Sequence, residues 1–116
     1  MSIKRIQPGP RMSQGVVHGD VVYLAGVVAA DNTQDVTGQT TQILARIDEL
    51  LAEAGTDKSK LLRTNIWLSD ISTFGEMNAV WDIWVLPGHT PARATVEAAL
   101  ATPDYKVEIM VEAAID

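Results

Sequence analysis

Two residues near the carboxyl end have the types needed for chemistry on a small anion. Arg93 carries a planar guanidinium whose paired donors match the two oxygens of a carboxylate. Glu108 carries a carboxylate that, in a protected place, can take a proton from water and return it to a leaving group. Fourteen residues separate the two, and both lie in runs with strand periodicity. Ala92, Ala94, Val96 and Ala98 alternate with Arg93, Thr95 and Glu97. Tyr105, Val107, Ile109 and Val111 alternate with Lys106, Glu108, Met110 and Glu112, and Thr102-Pro103-Asp104 supplies turn chemistry between the runs. The pattern predicts a β-hairpin whose apolar faces lie side by side. That parity puts Arg93, Thr95 and Glu108 on one face, an anion clamp with a base beside it. The same geometry also allows a plain salt bridge from Arg93 to Glu108 or Glu97 on a solvated face.

The elements that must position these residues can be taken in order. Residues 2–7 read as an edge strand, broken by Pro8-Gly9-Pro10. Met12–His18 and Asp20–Val27 are β-rich runs joined by a tight turn at Gly19-Asp20. The second run is apolar on both faces, as expected of a central strand covered on both sides. Thr37–Ala54 is an amphipathic helix with Ile43, Leu44, Ile47, Leu50, Leu51 and Ala54 in one stripe, Thr37 as cap and Gly55 as stop. Leu61–Leu68 reads as a strand. A second helix runs from about Thr73 to Val85, with Ser72 a cap and Phe74, Met77, Val80, Trp81 and Trp84 its apolar side. Two helices cannot cover both faces of such a sheet. One face, carrying Arg93, Thr95, Glu97, Glu108 and Met110, must meet water or another subunit.

Composition narrows the function classes. The chain has 116 residues, 47% hydrophobic and 21% charged, which suits one soluble globular domain. It has no cysteine, so disulfides and thiolate metal sites are excluded. His18 and His89 lack metal-ligand spacing, and the glycines form no phosphate-cradling loop. No metal and no cofactor are expected. The formal charge is −6 and the basic residues are scattered, which argues against nucleic acid. Ile3-Lys4-Arg5-Ile6 is too short and charged for a signal sequence, and no apolar run is long enough to cross a membrane. The expected compartment is the cytoplasm. Trp67, Trp81 and Trp84 read as core or interface residues.

Pro91-Ala92-Arg93 followed by Val107-Glu108-Ile109 resembles the signature of the reactive intermediate deaminase (Rid, or YjgF) family. The likeness extends over nearly the whole chain, including Tyr23-Leu24-Ala25-Gly26 and Met77-Asn78-Ala79-Val80-Trp81. The resemblance implies a single domain over residues 1–116 with a chorismate-mutase-like α+β fold: a mixed, mainly antiparallel sheet with two helices on one face. It implies a homotrimer with clefts between subunits. It also implies cofactor-free hydrolysis of 2-imino acids to 2-keto acids and ammonia, as by a 2-iminobutanoate/2-iminopropanoate deaminase. In this light Arg93 falls on the substrate-binding arginine and Glu108 on the catalytic glutamate. Gly26 falls on a glycine that offers its backbone amide to the substrate, and Asn78 on a residue at the cleft edge. Thr95 stands where many relatives carry cysteine. Met12 stands in place of an aromatic residue that closes over the substrate, and Val27 in place of a glutamine. Both departures touch the pocket wall, and Met12 would admit a bulkier apolar imine.

Three functions compete at this level. The first is an imine hydrolase using Arg93 and Glu108. The second is a non-catalytic binder or sensor of small carboxylates, in which Glu108 would only repel the ligand. The third is an endoribonuclease, which lacks a basic groove and a histidine pair here.

Overall fold

The structure, a computed structural model, describes residues 1–116. The chain opens with β1 (Ile3–Pro8), β2 (Ser13–His18) and β3 (Val21–Leu24), an antiparallel meander. His18 pairs with Val21 across the expected two-residue turn, where Gly19 sits at φ 63°, a conformation that side chains resist. The helix α1 (Val36–Glu53) follows, then β4 (Leu61–Leu68), α2 (Phe74–Trp84), β5 (Ala92–Glu97) and β6 (Val107–Ala114). The order of elements is the expected one. No helix is long and apolar enough to cross a membrane.

Both predicted helix caps move. The N-cap of α1 is Asp35, whose Oδ1 accepts from the Gly38 N–H at 2.9 Å, while Thr37 lies inside the first turn. An ionised aspartate both accepts this bond and favours the positive helix end, so it displaces a threonine nearby. Gly55, at φ 86°, stops the helix as its position predicted. Ser72 does not cap α2. Its hydroxyl and N–H both donate to Asp70, at 2.7 and 2.9 Å, shaping a short 3-10 turn over Ile71–Thr73 ahead of the helix. Such turn-making bonds hold the carboxyls of Asp31, Asp57 and Asp70 below their usual range, chiefly through Thr33, Ser59 and Ser72 respectively.

The sheet order is β1-β2-β3-β6-β4-β5, antiparallel except for the β4–β5 pair. This corrects the expected hairpin: β5 and β6 do not pair, because β4 lies between them. The physical reason is burial. Val107, Ile109, Val111 and Ala113 of β6 are sealed, and Leu68, Ile66 and Thr64 of β4 stand opposite the first three of these as equally buried partners. The alanines of β5 could not provide that cover, so β5 takes the edge. The side chains of α1 complete the core, with Ile43, Leu44, Ile47, Leu50 and Leu51 all 2% exposed or less. Each such side chain contributes about 1.5–3 kcal/mol.

The Asp35 cap gives a simple check. Asp35→Ala should lower stability by about 1 kcal/mol in urea denaturation, whereas Thr37→Ala should change it by less than about half that. Equal losses would return the cap to Thr37.

Candidate functional site

The register decides where Arg93 points. It lies opposite Thr64 of β4, and Thr64, Ile66 and Leu68 face the helices. Arg93, Thr95 and Glu97 therefore share the helix side of the sheet, while Ala92, Ala94 and Val96 face the open side. The arginine sits over two rings of α2, with its guanidinium carbon 5.3 Å from the Trp81 ring centre and 5.7 Å from that of Phe74. The flat cation rests against electron-rich faces, which attracts it and fixes its plane. The i, i+7 spacing of Phe74 and Trp81 on one helix face was the signal for this shelf, which from sequence alone reads as the helix's apolar side, with Trp81 in core or interface.

The surroundings of Arg93 are unfinished in a specific way. Three buried side-chain oxygens in the chain lack a hydrogen-bond partner: Thr64 Oγ1, Asn78 Oδ1 and Thr95 Oγ1. All three lie around Arg93. Thr64 is its cross-strand neighbour, and Thr95 is two residues along on the same face. Asn78 stands between Phe74 and Trp81 on α2. Buried polar atoms are nearly always paired, so three without partners on the side of the sheet that carries Arg93 single this place out as a candidate site. The salt bridge considered from sequence is absent. The chain's one ion pair joins Lys60 to Asp116 at 2.8 Å, and Glu97 instead accepts from the Ile71 N–H at 2.9 Å.

Glu108 lies elsewhere. It pairs with Trp67 of β4 and faces the open side of the sheet with Met110 and Glu112. From Thr64 to Trp67 is three residue steps, and β6 lies two strands from β5. Arg93 and Glu108 thus stand about 10 Å apart along the strands and about 10 Å across them, on opposite faces. The expectation that one face carries both is corrected: the hairpin parity failed because β5 turns its small residues outward.

Around Glu108 the structure gathers a second set of residues. Val27 forms an isolated bridge with Ile109, exchanging backbone bonds of 2.8 and 3.1 Å, which brings Gly26 against the glutamate. A Cβ added to Gly26 would fall 2.1 Å from Glu108 Oε2. Glycine is needed here for close approach. Trp67, Ala98, Ala99, Leu100 and Ala101 line a hollow of about 250 Å³ beside the carboxylate. Met12, 48% exposed, lies in the β1–β2 connection, at the same end of the sheet as Gly26 and Glu108. The sequence-predicted residues therefore fall into two groups, Arg93, Thr95 and Asn78 in one and Glu108, Gly26 and Met12 in the other. A larger depression of about 500 Å³ between α1 and α2 contains neither Arg93 nor Glu108. Its one carboxylate, Asp48, is engaged by the Trp84 indole N–H at 3.0 Å.

The family profile described as Endoribonuclease L-PSP matches residues 2–115. The chain belongs to the Rid/YjgF family. It is 43% identical to the RutC family protein YoaB of Escherichia coli K12, over 99% of this chain and all of that protein. A YjgF-family crystal structure from Neisseria meningitidis superposes with a TM-score of 0.97 at 42% identity, covering 100% of this chain and 97% of the other. A more distant relative, Reactive Intermediate Deaminase A of the Arabidopsis thaliana chloroplast, is 30% identical over 84% of this chain and 54% of its own length. Within this Rid/YjgF domain, the α+β architecture implied by the motif is the observed one.

Gly26→Ala tests the second group. The clash is with the end of a flexible side chain, so the fold should survive with a loss of about 1 kcal/mol while the Glu108 carboxylate is displaced. A crystal structure or the side-chain NMR signals of Glu108 would check this. An unmoved carboxylate would show that the close approach is incidental.

Proposed function

We propose that this protein hydrolyses 2-imino acids to 2-keto acids and ammonia in sites built between copies of the chain, most simply a homotrimer. In this reading Arg93 of one copy holds the substrate carboxylate, oriented by the Phe74–Trp81 shelf. Glu108 is brought to the reacting carbon by the neighbouring copy. The observation that carries the reading is the group of three unpartnered buried oxygens around Arg93, a cation with no anion of its own. A ligand carboxylate supplies that anion. Asn78 and Thr95 then contact the ligand's polar edge, and the Gly26 backbone amide lies beside the attacking water.

The chemistry follows from the groups. Glu108 takes a proton from a water molecule as its oxygen bonds to C2 of the imine, and the C=N pair moves onto nitrogen. Glu108 passes that proton to the nitrogen, giving the neutral carbinolamine. It then takes the carbinolamine's hydroxyl proton and delivers it to the same nitrogen, so that the C–N bond breaks, the carbonyl forms and ammonia leaves. No redox step occurs. The hollow lined by Trp67 and Ala98–Ala101 lies beside the reacting carbon and lowers the local dielectric, which strengthens the Arg93–carboxylate attraction. The name of the Arabidopsis relative supports the reaction class. The open sheet face, where Tyr23 is 45% and Val96 50% exposed, supports assembly.

Two experiments test this. Glu108→Gln should reduce imine hydrolysis by about 100-fold or more while 2-keto acid binding persists, since the base is gone but the clamp remains. Unchanged turnover would sink the mechanism. Retained binding with no turnover in the unaltered protein would favour a carboxylate binder. The second experiment exchanges subunits between Arg93→Ala and Glu108→Gln proteins, each inactive alone. With random mixing, about a quarter of intersubunit sites regain both residues, so about a quarter of full activity should return. No recovery after verified exchange would place both groups in one subunit's site.

A further inference from the structure

We propose that Gln39 is a positioning residue for Glu108, its buried carboxamide fastening together the two chain segments that hold the glutamate in place. This rests on the reading of Glu108 as the group that activates water. Gln39 lies in the first turns of α1 and is 0% exposed, an unusual place for so polar a side chain. Both ends of its amide are engaged. Nε2 donates to the carbonyls of Gln34 and Asp104, both at 3.0 Å, and of Asn32 at 3.3 Å. Oε1 accepts from the Lys106 N–H at 2.9 Å. Two N–H groups serve three carbonyls, so one bond is shared.

These partners belong to two segments far apart in sequence. Asn32 and Gln34 lie between β3 and α1, and Asp104 and Lys106 in the connection that enters β6. The same two segments meet once more, at Gly26–Val27 against Glu108–Ile109. That meeting is a single isolated bridge, because β3 itself ends at Leu24. An isolated bridge of two bonds is weakly determined by itself. Gln39 supplies the next fastening along both strands of chain, five residues beyond Val27 and two before Glu108. Lys106 is also held from behind, since the Ser69 N–H donates to its carbonyl at 3.1 Å. With its N–H on Gln39 and its carbonyl on Ser69, Lys106 cannot slide, and Glu108 is set at a fixed height against Gly26.

Only glutamine has the reach and both bonding senses. Glutamate at this position would turn oxygens toward carbonyls, and methionine would leave four backbone groups without this partner in a partly buried place. The test uses Gln39→Met and, if that variant folds poorly, Gln39→Glu, which keeps the size and the acceptor for Lys106. Native-state hydrogen exchange should quicken by about 10-fold or more at Lys106, Val27 and Ile109 relative to Val111 further along β6. The turnover number should fall by about 10-fold or more, because a small misplacement of a catalytic group is costly. Affinity for a 2-keto acid, whose carboxylate is held by Arg93 of the neighbouring copy and not by Glu108, should change by less than about 2-fold. A uniform rise in exchange across α1 and the sheet, with turnover per folded protein unchanged, would make Gln39 a general stabiliser and overturn the proposal. Absence of imine turnover in the unaltered protein would overturn the proposed chemistry, and the local or uniform pattern of exchange would still decide the fastening.

Discussion

Val107, Ile109, Val111 and Ala113 must be dry, and the arrangement of the sheet depends on meeting that demand. A strand buried on one face and hydrogen-bonded along both edges needs a partner on each side. Here β3 supplies one and β4 the other, the latter with Leu68, Ile66 and Thr64 opposite the first three buried positions. Once β4 holds that place, β5 can only join the far edge of β4, in parallel and after the crossover through α2. Arg93 and Glu108 are separated as a consequence. Their placement is set by the core and not by attraction between them.

The same constraint explains what could be read from sequence and what could not. Helical stripes and strand alternation were legible because each is a local periodicity: Ile43 to Leu51 marks α1, and Val107 to Ala113 marks the buried face of β6. The Gly19 and Gly55 breaks were legible because positive φ has few tenants. Strand neighbours were not. Alternation fixes which side of a strand is apolar but says nothing about which strand lies beside it. It also misled at β5, where Ala92, Ala94 and Val96 look like the inner face and are the exposed one. An edge strand beyond the core can turn its longer polar side chains toward a helix, and Arg93 does so because Phe74 and Trp81 offer aromatic faces. The motif identified the site residues without revealing their separation. Gln39 was passed over for a related reason, since the periodic stripe of α1 gives no hint that a glutamine beside it is wholly buried.

Charge distribution matters here more than net charge. At −6 the chain as a whole repels anions. Yet Arg93 has no ion-pair partner, and the unpartnered side-chain oxygens on its side of the sheet are neutral. Over a few ångströms in a partly dry setting, an unpaired guanidinium outweighs solvated carboxylates that make no contact with it. The acidic residues with lowered pKa values, Asp31, Asp57 and Asp70, are spent on local turns. Their depressed pKa values come from hydrogen bonds at the surface, so a perturbed carboxyl does not by itself point to a site.

A single chain that carries a clamp on one face and a base on the other is incomplete for the proposed reaction, and the incompleteness has a use. Three buried oxygens without partners beside a cation are costly because water does not reach them, and an open sheet face bearing Tyr23, Trp67 and Val96 leaves apolar surface in water. A ring of copies, in which the open face of one meets the Arg93 edge of the next, would address both defects. In the assembly we propose, it shields the apolar side chains and brings one copy's Glu108 to another's Arg93. On the proposed roles, the base is kept away from the clamp in the free chain, where a salt bridge between them would leave neither available. Fixed separately, Arg93 by its aromatic shelf and Glu108 by Gly26 and Gln39, the two groups can be held at a substrate's length apart in the assembled protein. Separation within the chain is thus what lets an arginine and a glutamate serve one ligand without first satisfying one another.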